Sequence, residues 1–244
     1  MQKGSTLMIK IRYFVFPFLL LTHVTASANM TVYPMAVGLD NNGEGNVRVI
    51  SKSREVQFIR TKVYRIDNPG TPMEKENEIT ASSGNDVVVM PPKFAVPGGS
   101  SKLVRLVSME PTNKERIYRV MFEGVPSLDD TVTANNKGIA TQVSVNLVWG
   151  VLVSVPPEQP RIHLVLSPEK NALLNQGSQR VKIIDVGLCR QGESGDQCHH
   201  QSDNHNIFPD GTYSLPATTG YEHIEIKYKD WIKKSISTET FSLR

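Results

Sequence analysis

Between Thr141 and Pro157 the chain reads TQVSVNLVWGVLVSVPP, a run without a single charged side chain. Every odd position from Val143 to Val155 is apolar: Val143, Val145, Leu147, Trp149, Val151, Val153 and Val155. Side chains alternate across a β-strand, so this run specifies one long strand with a continuous apolar row. Its even positions change character partway. Gln142, Ser144 and Asn146 are polar, whereas Val148, Gly150 and Leu152 are apolar or small. The first half therefore suits a surface with one wet face, and the second suits a strand enclosed on both faces.

The rest of the sequence agrees with an all-β chain. Extended segments are expected over 30–37, 47–51, 56–66, 87–90, 101–108 and 116–125, separated by turn clusters such as Asn41–Asn46 and Asn68-Pro69-Gly70. A polar loop, Leu128–Gly138, precedes the long strand. About seven strands in the first part of the chain, with no sustained helical period, point to an immunoglobulin-like sandwich. Pro156-Pro157-Glu158-Gln159-Pro160 cannot continue a ladder and reads as a stiff link. Beyond it, shorter and more polar strands over 161–167, 180–189, 221–229 and 235–243 predict a second, smaller β-domain. Pro97-Gly98-Gly99-Ser100 reads as a hairpin turn.

Residues 1–28 form a separate segment. Lys3, Lys10 and Arg12 give it a basic start, Tyr13–Leu21 a short apolar run, and Ala26-Ser27-Ala28 a small-residue cleavage site. This is the pattern of a secretory signal peptide, too short in its apolar part for stable membrane insertion. The whole chain has 27 Lys and Arg against 24 Asp and Glu. The excess of three lies in the leader, so the exported part is balanced and has no electrostatic warrant for nucleic-acid binding. The expected division is 1–28 signal peptide, 29–155 first domain, 156–160 hinge and 161–244 second domain.

The two cysteines, Cys189 and Cys198, both fall in the exported part. An oxidising compartment and a short separation favour a disulfide. Closing a loop of about ten residues stabilises by roughly 2.7 kcal/mol in the chain-entropy account. His199, His200 and His205 follow closely, but the spacing lacks the paired C-x-x-C of zinc sites. No metal is expected, and the histidines read as a solvated loop. No nucleophile elbow, H-E-x-x-H or phosphate-binding glycine loop is present. Catalytic residues and cofactors are therefore not expected.

VVVMPPKFAVPGGSSKLVRLV (Val87–Val107), with Pro91-Pro92, Pro97-Gly98 and Val104-Arg105-Leu106 in order, resembles the signature of the PapD-like periplasmic pilus chaperones. IYRVMFEGVP (Ile117–Pro126) resembles the strand that follows it in that family. Val49–Ser53 and the late cysteine pair look most like the alpha-clade chaperones of colonization-factor-type fimbriae. The resemblance implies two immunoglobulin-like β-sandwich domains joined at an angle, a periplasmic location, fimbrial subunits and an outer-membrane usher as partners, and no enzymatic activity. It also implies a use for the long strand, which completes the fold of an incomplete subunit through strand addition. Val143, Val145, Leu147 and Trp149 are then the subunit-binding row. A free edge of this kind can also be capped by self-association.

Two departures follow from the same resemblance. The family holds the subunit's C-terminal carboxylate with an arginine on the first strand and a lysine on the lending strand, and neither is present here. Arg119 and Arg105 are the candidate replacements. Val155 and Gly124 stand at or beside the positions of the family's interdomain ion pair, so that pair is not expected in its usual form. The alternative function is a fimbrial structural protein, either a pilus subunit or an adhesin. It is disfavoured because the N-terminal segment, MTVYPMAV, is short and interrupted by Pro34.

Overall fold

The computed structural model describes residues 29–80, 87–128 and 147–244. Among the described residues, apart from one 3-10 turn at Gly195–Gln197, the regular elements are all strands. The first half stacks two sheets. One runs β1 (Met30–Tyr33), β3 (Glu44–Ser51), β8 (Ser101–Ser108), β6 (Val87–Met90). The other runs β2 (Ala36–Gly38), β10 (Val148–Val155), β9 (Arg116–Val125), β4 (Gln57–Asp67), β5 (Lys75–Ile79), with β7 (Lys93–Val96) also on β4. Alternation decides what lies between them. Val47, Val49, Val104 and Leu106 face Tyr118, Val120, Phe122, Val151 and Val153, and all are buried.

The N-terminal segment is two strands and not one. β1 pairs antiparallel with β3 in the first sheet, whereas β2 pairs parallel with β10 in the second. Pro34 lies at the crossing, where it cannot donate to either ladder. The Pro97–Ser100 turn also departs from expectation. It closes with Ser100 N–H donating to Pro97 O at 3.1 Å, but β7 and β8 on either side belong to different sheets, so it is a crossing and not a hairpin. Glycine is required there. A Cβ at Gly98 would lie 2.2 Å from Arg54 O, and Gly99 has φ of +66°.

The second half has its own core. A three-stranded sheet, β11 (Leu164–Leu166), β12 (Ala172–Asn175) and β15 (Thr212–Ser214), covers a four-stranded one. The latter runs β14 (His199–Ile207), β13 (Val181–Cys189), β16 (His223–Asp230), β17 (Ile236–Ser242). A register shift between Ile183 and Asp185 lets β13 bury Val181 and Ile183 before it and Val186 and Leu188 after it. The histidines expected in a loop form the edge strand β14, exposed over most of its length. Cys189 and Cys198 are joined by a disulfide with a Cα–Cα distance of 4.4 Å. Among the described residues no helix is long and apolar enough to cross a membrane.

The two cores meet through a charged junction. Glu115, just ahead of β9, is ion-paired with Arg180 and has a fully enclosed side chain. It also accepts hydrogen bonds from Arg180 N–H at 2.7 Å and Trp231 Nε1–H at 3.1 Å. Arg180 reaches on to Ser154 Oγ on β10 at 2.9 Å and lies 4.5 Å from the Trp231 ring centroid. Trp231 in turn packs on Gly38, where a Cβ would come within 2.5 Å of its ring. An interdomain ion pair is thus present, built from residues other than those at the Val155 and Gly124 positions. The proline segment is tied to both sides: Glu158 N–H donates to Thr112 O at 2.8 Å, and Ser178 Oγ–H to Gln159 O at 2.7 Å.

Burial pushes the Glu115 carboxyl above its ordinary range, and the Arg180 charge and hydrogen bonds pull it back. A carboxyl raised in the fold holds its proton more tightly there, so its contribution to stability falls as pH rises between the unfolded and folded values. Arg180→Ala removes the counter-charge and leaves a buried carboxylate. We expect a loss of about 3–5 kcal/mol near neutral pH. The loss should shrink at mildly acidic pH, as Glu115 takes up a proton. Urea unfolding of both proteins at the two pH values measures this. An equal loss at both would place the effect outside Glu115.

Candidate functional site

β10 is the site's frame. On one side it is fully laddered to β9, from Val148 opposite Glu123 to Val155 opposite Arg116. On the other side β2 covers only Leu152, Val153 and Ser154. Leu152 N–H donates to Met35 O at 3.0 Å, and Leu39 N–H donates to Ser154 O at 2.9 Å. The period of two therefore turns the backbone groups of Gly150 and Val148 toward that same side, beyond the reach of β2. Among the described residues they form a short open edge.

The inward row changes environment along the strand. Val155, Val153 and Val151 belong to the first core, Trp149 is partly buried against it, and Leu147 is 49% exposed. The apolar row thus outruns the core that holds it. Val148, on the opposite face, is exposed as well. Tyr33 and Met35, on either side of Pro34, are also exposed where the chain crosses to β2. Sequence reasoning did not select these two, although the proline that breaks MTVYPMAV marks the place. Val143 and Val145 lie outside the described residues.

The two candidate arginines separate. Arg119, on β9, is opposite Leu152 in register, and its side chain crosses the outer face at Gly150, where a Cβ would lie 3.2 Å from its Cδ. Its Nε donates to Glu76 on β5 at 2.5 Å. That carboxylate partner was not foreseen. Arg105 is on β8, in the other sheet, and is paired with Glu44. The structure brings Arg119 to β10 and leaves Arg105 apart from it. Around Arg119 the outer face carries further cross-strand pairs, Arg60–Glu123 at 3.0 Å and Lys62–Glu78 at 3.7 Å.

Metal donors converge elsewhere. Among the described residues, Cys189, Cys198, His223 and Glu225 place one donor atom each within 4.8 Å of the others, in the second half of the chain. His200 is instead engaged by Asp185 at 2.5 Å and Gly195 O at 2.9 Å.

Taken together, β10 is a strand anchored along one side and at one end, with an open edge and an emerging apolar row. Such a geometry can accept a strand and bury apolar side chains. The amide of Gly150 should therefore exchange with solvent much faster than those of Trp149, Val151 and Val153, which face β9. Residue-resolved hydrogen exchange tests this. Equal protection of Gly150 and Val151 would mean that the edge is covered.

Comparison with known proteins places this geometry. The family described as pili and flagellar-assembly chaperone, PapD N-terminal domain, matches residues 39–158. A protein of Escherichia coli named for the CFA/I fimbria is 33% identical over 212 residues, covering 86% of this chain and 89% of that protein. A second Escherichia coli protein, named for the CS1 fimbria, is 31% identical over 221 residues, covering 88% and 92%. The crystal structure of the class 5 fimbriae chaperone CfaA superposes with a TM-score of 0.73 at 30% identity, over 87% of this chain and 98% of that one. A chaperone–tip adhesin complex of CFA/I fimbriae matches similarly, with a TM-score of 0.72 at 30% identity.

Proposed function

Because this chain belongs to the pili and flagellar-assembly chaperone family, we propose that it captures fimbrial subunits on β10 and delivers them to an outer-membrane usher. The observation that carries the reading is the apolar row leaving its own core at Trp149 and Leu147 beside an open backbone edge. A subunit lacking a strand pairs with that edge. Its groove takes Leu147 and, in the preceding segment, Val145 and Val143, with Trp149 at the border. Burying three such aliphatic side chains is worth roughly 5–9 kcal/mol in transfer terms, before association and ordering costs. The row also sets register, because a slip of one residue would turn Ser144 and Asn146 inward.

In this reading residues 29–155 are the subunit-binding domain, 156–160 the hinge and 161–244 the supporting domain. The protein acts by binding and not by catalysis. It works in the periplasm after removal of residues 1–28, so that Asn29 becomes the first residue. N-terminal sequencing of the exported protein checks that boundary, and a start at Met1 or Met8 would refute it. Arg119 is the carboxylate anchor of the two candidates, because it alone lies beside β10, with Glu76 as its partner in the free chain. A structural-subunit reading would use the chain's own N-terminal segment as a donor, but β1 and β2 are both paired within this fold.

Leu147→Asp places a charge where an apolar groove is to be filled. We expect it to abolish co-purification with fimbrial subunits and to leave thermal stability within a few degrees, since Leu147 is half-exposed in the free chain. Arg119→Ala should weaken capture with the fold retained. Normal capture by Leu147→Asp would remove β10 from the role. Normal capture by Arg119→Ala would remove only the anchor.

A further inference from the structure

We propose that the corner of the second domain around the Cys189–Cys198 bridge is a latent site for a divalent cation of the zinc class, opened when the disulfide is reduced. The ladder builds the site. Cys189, the last residue of β13, stands directly opposite His223, the first residue of β16. Glu225 lies two residues further along β16, on the face His223 occupies and opposite Gly187. Cys198 closes onto this face from the segment just ahead of β14.

The four donor atoms, two Sγ, a His223 ring nitrogen and a Glu225 carboxylate oxygen, all lie within 4.8 Å of one another. A tetrahedral zinc site needs bonds of about 2.0–2.3 Å to such donors. That corresponds to donor separations of roughly 3.3–3.8 Å, so shifts of about an ångström are sufficient. Gly187 makes the floor. A Cβ there would touch the Cβ atoms of both Cys198 and Glu225 at 3.5 Å and press on His200 Cε1 at 3.1 Å, so glycine keeps the floor clear. Beneath it Leu188, Ile224 and Ile226 are buried and keep the inner side dry. The carboxylate is already oriented, because Gly195 N–H donates to Glu225 Oε1 at 3.2 Å and His223 Nε2 lies 3.9 Å from the same oxygen.

The bridged sulfurs are poor ligands; thiolates are the ligands. Reduction by a water-soluble phosphine is a two-electron step. The S–S bond breaks, each sulfur gains a proton, and the phosphine becomes its oxide with oxygen from water. The cation then displaces both thiol protons and meets two thiolates, one carboxylate and one neutral imidazole. That donor set suits zinc and disfavours magnesium or calcium. The cation would re-close the loop that the disulfide closed.

The test uses the full exported chain, reduced with phosphine and freed of excess reagent, and titrated with zinc against a chromophoric chelator. Cobalt serves as a spectroscopic probe. We expect one equivalent per reduced chain, with thiolate-to-cobalt charge transfer and tetrahedral d–d bands. Oxidised protein should bind none at the same concentration. Cys198→Ser should abolish the signal, and His223→Ala or Glu225→Gln should each weaken binding by about tenfold or more. Equal affinity of the His223→Ala variant, of urea-unfolded reduced chain or of oxidised protein would overturn the proposal, as would a reduced chain that stays folded by circular dichroism and binds nothing.

Discussion

The ladder between β9 and β10 is the interaction on which the rest of the molecule depends. It holds β10 along its whole length from one side only. Burial of Val151, Val153 and Val155 fixes the root of the strand in the first core. At roughly 1.5–3 kcal/mol for each fully buried valine, that root is worth about as much as the row proposed to enter a fimbrial partner. A strand held by one full ladder, and by β2 and a buried end at its root, can offer the rest of its other edge and its other end without leaving its own domain. β9 can act as the holder because β4 backs it on its far side over most of its length.

The junction between the domains grips the same two strands. Glu115 immediately precedes β9, and Ser154 is the penultimate residue of β10; Arg180 of the second domain reaches both. Ile117, opposite Ser154 in register, is buried on the sheet's outer face at this end. The second domain therefore closes the face at the root of β10 and leaves it open further out. The buried carboxylate and guanidinium compensate one another only while they stay paired, and separating them leaves an uncompensated buried charge. The position of the second domain and the direction of β10 are in this way set together.

Much of this was legible in the sequence, because alternation over long strands is a strong signal. The row from Trp149 to Val155, the strands β3, β4, β8, β9, β13 and β16 and the disulfide all follow from period and composition. Three features were not legible, each for a physical reason. β5 (KENEI) and β14 (HHQSDNHNI) are polar because they are edge strands, so they have no apolar row to announce them. The split of MTVYPMAV depends on which sheet each half joins, a choice made by tertiary pairing. The Glu115–Arg180 pair joins residues far apart in sequence, and nothing local marks Glu115 for burial. The resemblance to pilus chaperones pointed to the right family while its usual basic positions were empty. For that reason Arg119 was visible as a candidate, whereas Glu76 was not.

Gly150 marks the border between the private and the open parts of β10. An open edge invites pairing with any exposed strand, and proteins limit that hazard by keeping such edges short or interrupted. Here β2 covers the edge through Ser154 and stops at Leu152, and the next outward-facing backbone belongs to glycine. A side chain at this position would need Met121 Sδ, at 3.1 Å, and Arg119 Cδ, at 3.2 Å, to give way. Those two side chains instead lie over the backbone and cover its outer face. Glycine also weakens a strand locally, because it has no side chain to pack and more backbone freedom to lose. The strand is thus held by three buried valines at its root and, where its row emerges, by the ladder to β9, and that outer end is the one proposed to meet an incoming strand.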